Sequence, residues 1–144
     1  MTNVRTKTVT QLQTWLLNAL SAEGAEADSL VQMLLIELAQ RAVEDPGKHY
    51  PLTELGYTVR QKAWRAHERQ KLLKFLLELR FPNVPYFQTW GAPGSAERRA
   101  RIVQDIQAFI RRNRNLPEQQ HAVGRWSADL AFLNSLPTPS PDAD

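Results

Sequence analysis

The sequence predicts an all-α fold. The expected architecture is a single-domain bundle of four to five helices over residues 1–136, with an aromatic, proline-rich loop and a disordered, acidic, proline-rich tail at 137–144. Three observations predict it. Apolar residues recur every three to four positions in five separate stretches, the spacing that places them on one helix face. No stretch alternates β-branched and polar residues as strands do. Clusters of proline and glycine separate the stretches and stop helices between them.

The first helix carries Leu12, Leu16 and Leu20 in one stripe with Trp15 beside it. Thr10 and Gln13 have the spacing of a capping box, in which each side chain takes the other's free backbone N–H. Gly24 ends this helix or interrupts it. A second helix follows over about 27–43. Its apolar residues, among them Leu30, Met33, Leu34, Ile36 and Leu38, wrap most of the circumference, which predicts a central helix or one covered by a partner. Asp45-Pro46-Gly47 stops it, because the residue before proline avoids the helical region.

Residues 46–57 read as a linker, with one helical turn over 51–55 ended by Gly56. Thr58 and Gln61 have the spacing of a second capping box, which starts a long helix from Val59 to about Arg80. In its first half Lys62, Arg65 and Arg69 share a face, so this half is expected to project basic side chains, with Trp64 among them. The segment 81–94 holds three prolines, two glycines and four of the twelve aromatic residues. Ser95 then caps a helix over about 96–114, with Ile102, Ile106 and Phe109 inward and Arg101 and Arg112 outward. Pro117 suits the first position of the last helix, whose stripe is Val123, Trp126, Leu130 and Leu133.

Charge separates along the chain. Residues 60–114 hold thirteen basic and four acidic side chains, whereas the rest holds five basic and eleven acidic ones. A basic centre of this kind suits a polyanion or an acidic protein surface. The chain has no cysteine, which excludes disulfides, thiolate metal sites and thiol nucleophiles. The most apolar stretch, 30–39, contains Gln32 and Glu37 and is far short of the ~20 residues of a membrane span. No signal-peptide apolar core precedes it, so a cytoplasmic protein without a membrane is expected.

Candidate chemistry is sparse. His49, His67 and His121 lie at no metal-clip spacing, and Glu118 with His121 is a single Glu-x-x-His where carboxylate di-metal bundles use two. Gly91-Ala92-Pro93-Gly94-Ser95 lacks the Lys-Ser/Thr of a phosphate loop and reads best as a turn with a helix cap. The segment 52–58 before a basic helix resembles the turn of a helix-turn-helix reader, but Pro46, Gly47 and Pro51 leave little room for its first helix. No enzyme activity, metal or cofactor is therefore expected.

Two function classes remain. The first is a non-catalytic helical interaction module, an adaptor or accessory subunit that binds a protein partner or a second copy of itself. Tyr86, Phe87 and Trp90 in the loop, with Trp64, are its expected partner contacts, because exposed aromatics anchor interfaces. The second is nucleic-acid backbone binding by the arginine-rich helices 58–80 and 95–114. There Lys62, Arg65 and Arg69 would form one rail and Arg98, Arg101 and Arg112 another, for phosphate or for an acidic partner.

Overall fold

The computed structural model describes residues 4–44 and 51–137. Its regular structure is entirely helical, with no strand among the described residues. Six α-helices follow in order: α1 Val9–Ser21, α2 Ala25–Glu44, α3 Pro51–Glu54, α4 Ala66–Glu78, α5 Ala96–Asn113 and α6 Gln120–Ser135. Short 3-10 turns stand at Val4–Thr6, Pro85–Trp90 and Pro117–Gln119. Helices α1 and α2 pack on each other, as do α5 and α6, and α4 touches both α1 and α6. The leucines of α1, α2 and α4 meet Ile102, Ile106, Trp126 and Leu133 in one contiguous core cluster. No helix among the described residues is long and apolar enough to cross a membrane.

The capping box of α1 forms two residues earlier than expected. Thr8 is the cap: its hydroxyl accepts from the Gln11 N–H at 3.1 Å, and the Gln11 side chain accepts from the Thr8 N–H at 2.9 Å. Thr10 lies inside the helix, its carbonyl accepting from the Thr14 hydroxyl. Between α1 and α2 the chain turns at Gly24, whose φ of 113° lies in the left-handed region that glycine tolerates. Gly56 follows α3 at φ 101°, where a Cβ would stand 3.1 Å from a Leu16 methyl. The stop at 45–47, His49 and the tail beyond Pro137 lie outside the described residues.

The largest correction concerns the long third helix. Residues 58–65 are not helical, and α4 begins only at Ala66. The reason is burial. Tyr57, Val59 and Trp64 all enter the core. On one helix, at 100° per residue, Val59 and Trp64 would point about 140° apart. An irregular turn sends both inward. The Thr58 hydroxyl accepts from the Arg60 N–H instead of forming the expected box with Gln61. Arg65, extended, occupies the start of α4.

Polar contacts join the elements. Arg41 on α2 ion-pairs with Glu37 at 2.8 Å and donates to the carbonyls of Val4, Arg5 and Lys7, which ties the N-terminal turn to the bundle. Lys71 on α4 donates to the Ala22 carbonyl at the α1–α2 turn. Arg125 on α6 donates to the Val59 carbonyl. Arg99 donates to the carbonyls of Leu136 and Pro137, holding the end of α6 against α5.

Candidate interaction surface

The second helix is not enclosed. Val31, Leu34, Leu35, Leu38, Ala39 and Ala42 face the core, but Met33 and Ile36 are 44% and 42% exposed. The expected apolar circumference therefore resolves into a buried face and an open strip. Leu30, Met33 and Ile36 are i, i+3 neighbours along that strip. At its N-terminal end the strip runs into a groove of about 550 Å³ between α1 and α2. Trp15 and Leu30 wall the groove, and Ala19, Ala22 and Ala27 line it with methyl groups only. Small side chains keep it open, because nothing longer than a methyl projects from those positions. The Lys7 ammonium sits 5.1 Å from the Trp15 ring centre, a cation–π contact that orients the indole. Glu26 supplies an acidic rim.

Three of the four aromatic residues expected to be exposed for a partner, Trp64, Phe87 and Trp90, are buried in the core. Trp90 is fully buried, Phe87 is 5% and Trp64 3% exposed. Phe81 stacks on Phe87 at 4.4 Å, and Trp90 meets Phe81 edge-on at 5.3 Å. Tyr86 is half-buried with its ring edge-on to Phe87. Burial, then the Glu54 charge, raises its phenol above the ordinary tyrosine range. The loop 81–94 thus adds an aromatic cluster to the common core. A proline-rich segment that cannot become a helix can still bury rings through a 3-10 turn, here Pro85–Trp90.

The two expected basic rails do not form as drawn. Of the first, Lys62 is exposed on the irregular turn. Arg65 is 71% exposed and forks onto Glu68 at 3.0 and 3.1 Å. Arg69 is buried and forks onto Asp129 at 2.9 and 3.2 Å. Of the second, Arg98 is buried among backbone carbonyls. Arg101 is half-buried, donating to the Thr89 hydroxyl at 3.1 Å and lying 5.7 Å from the Trp90 ring centre. Arg112 is exposed near the end of α5. The first rail assumed one helix across 58–80 and loses its common face with it; the second fails because Arg98 lies on the buried face of α5 with Ile102 and Ile106, whereas Arg112 is exposed. Ser95 does cap α5, accepting from the Arg98 N–H at 3.1 Å, so the Gly91–Ser95 segment is a capped turn.

Sequence reasoning missed four interior polar residues. Asp129 is fully buried and accepts from both Arg69 and the Tyr57 hydroxyl, the latter at 2.5 Å. Burial, reinforced by the Asp129 charge and hydrogen bond, pushes the Tyr57 phenol well above its ordinary range. Glu68 is buried, and burial acts to raise its carboxyl; the Arg65 hydrogen bonds and charge outweigh this and hold it below the ordinary range. Asp105 is raised by burial, because Arg101 at 3.5 Å only partly offsets it. A signal existed for Asp129. The inward stripe of α6 is Ala122, Trp126, Asp129 and Leu133, so a carboxylate occupies an apolar register position. Among the described residues, no three histidine or carboxylate side chains converge as metal ligands.

No protein-family model, no curated protein and no solved structure matches the chain.

Proposed function

We propose that the protein is a cytoplasmic, non-catalytic helical interaction module: a single-domain bundle of four to five helices that receives a protein partner in the α1–α2 groove. The observation that supports this reading is the groove's continuity with the open Leu30, Met33 and Ile36 strip. A methyl-lined groove between two helices suits the apolar face of an amphipathic helix, anchored at i, i+3 and i+7. The acidic rim at Glu26 favours a partner with basic flanks. A photo-crosslinking residue at Met33, expressed in cells, should capture one discrete protein, and Ala22→Arg should abolish the capture. A crosslinker at Gln104, exposed on α5, is the control. Capture at Met33 no greater than at Gln104 would overturn the reading. A product of twice the chain mass would make the partner a second copy.

Nucleic-acid backbone binding is the second reading, and one contact favours it. Arg60 donates to Gln119 and lies 5.3 Å from the Trp126 ring centre, which brings the 58–65 turn beside the α5–α6 connection. Lys62 and Arg65 on the turn, and Arg111, Arg112 and Arg114 at the end of α5, are exposed cations on the two neighbouring segments. Phosphate neutralisation releases counterions, so affinity for duplex DNA should fall by about 0.9 log units per phosphate contact for each tenfold rise in salt. A gel shift at two salt concentrations with no low-salt binding would remove this reading and leave the first.

A further inference from the structure

Two guanidinium groups are buried among the described residues, and only that of Arg69 meets a carboxylate. The Arg98 guanidinium has five N–H groups. Four go to backbone carbonyls: Nε to Trp90 at 3.0 Å, Nη1 to Leu76 and Leu79 at 2.7 and 2.8 Å, and Nη2 to Gly91 at 3.1 Å. The fifth N–H, the second on Nη2, has no part in these four bonds, and Arg98 reaches a neighbouring cavity. The charge is held by dipoles and by the Phe81 ring, 4.6 Å away, with no ion pair. Burial lowers its pKa to about 10, against the pull of Glu78, so it remains charged at neutral pH.

That cavity has a volume of about 220 Å³. Arg80, Asn83 and Gln88 supply its other polar lining, and the stacked Phe81 and Phe87 supply an apolar wall. Arg80 is exposed and makes no ion pair or hydrogen bond within the described residues. Two cations, one buried and one open, thus flank a site with an aromatic wall and no lining carboxylate. The volume is below the roughly 300–1,000 Å³ of drug-sized pockets, which limits the occupant to one ring or a short branched chain.

We propose that this cavity binds a small carboxylic acid, its carboxylate held by Arg80 and the fifth N–H of Arg98 and its apolar body resting on Phe81 and Phe87. Benzoate is the probe, titrated into the full chain and followed by backbone amide shifts. The expected result is saturable movement of the Phe87, Gln88 and Gly91 amides. Benzamide, of the same shape without the charge, should bind at least about tenfold more weakly, as should benzoate to Arg80→Gln, the loss of one charge-assisted contact. Arg80→Gln leaves the core untouched, so its thermal melting should match wild type. Equal binding of benzamide, or undiminished binding by Arg80→Gln, would overturn the assignment. Inorganic phosphate displacing benzoate at equal concentration would overturn the apolar half of the site. Absence of saturable shifts up to about 20 mM benzoate, beyond the millimolar range of weak ligands, would overturn it whole.

Discussion

At the N-terminal end of α4, Arg69 points inward and meets the Asp129 carboxylate, which also takes the Tyr57 hydroxyl. At the C-terminal end, Arg98 arrives from α5 and meets only carbonyls, two of them, Leu76 and Leu79, from the last turn of α4 and its cap. Both arginines come from the same basic centre, and the same helix uses them differently. A helix start exposes N–H groups and a helix end exposes carbonyls. An arginine can satisfy carbonyls directly, and the dipole there favours its charge. At the start of a helix both dipole and donors repel it, so Arg69 requires an imported carboxylate. The two contacts join different elements: Arg69 ties α4 to α6, and Arg98 ties α4 to α5 and the aromatic loop.

Of the two buried arginines, the one in the ion pair should respond most when its partner is removed. Asp129→Ala leaves a buried guanidinium and a buried phenol unpaired and should cost about 3–5 kcal/mol in denaturant unfolding. The joint replacement Arg69→Met, Asp129→Leu, Tyr57→Phe removes the side-chain partners together and strands only the Trp64 carbonyl, to which Arg69 also donates at 2.9 Å, so it should recover most of that loss, since apolar substitutes for a buried pair are often neutral. Failure to recover would mean that the pair sets the α4–α6 register. At the other end, Arg98→Met should cost about 3 kcal/mol, because each stranded carbonyl carries a penalty of about 1–3 kcal/mol that water relieves only in part. No companion substitution can repair it, since its partners are backbone. A recoverable Arg98 variant, or an unrecoverable Asp129 one, would reverse the contrast.

Tyr57→Phe removes one neutral donor from Asp129 and should cost about 1–2 kcal/mol, with the Arg69 fork intact. Two other buried carboxylates, Glu68 and Asp105, should differ in sign with pH. The folded pKa of Glu68 is lowered, so it contributes stability above the unfolded pKa and loses it as pH falls through the folded value. Glu68→Gln should therefore destabilise at neutral pH by less than about 1 kcal/mol, because Arg65 is largely exposed, and the deficit should vanish in acid. The folded pKa of Asp105 is raised, so its contribution is present below the unfolded pKa and lost as pH rises through the folded one. Asp105→Asn should therefore stabilise at neutral pH relative to acid. Urea melts of both variants at neutral and acid pH test the two signs.

Much of the helical framework was legible because it depends on neighbours within one turn. Leu12, Leu16 and Leu20 mark α1 by their spacing alone, and Ser95 announces α5 through a cap that bonds three residues on. The 58–80 helix misled because Thr58, Gln61 and the basic residues after them are locally compatible with a helix. Burying Val59 and Trp64 together outweighs that propensity, since each large apolar side chain gains about 1.5–3 kcal/mol when removed from water. The groove between α1 and α2 left one trace, the near-continuous apolar surface of α2, but not which side of it would stay open.

Periodicity, caps and breakers in the chain were enough to specify an all-helical protein and most helix boundaries, because hydrogen bonds within a helix join residues three or four apart. Which arginines face solvent was a tertiary decision. Arg65, Arg69 and Arg98 are alike as letters, yet one is on the surface, one is in an ion pair 60 residues distant, and one holds the end of another helix. A buried charge is tolerable only where acceptors from other elements converge on it. That convergence exists only once the helices have packed.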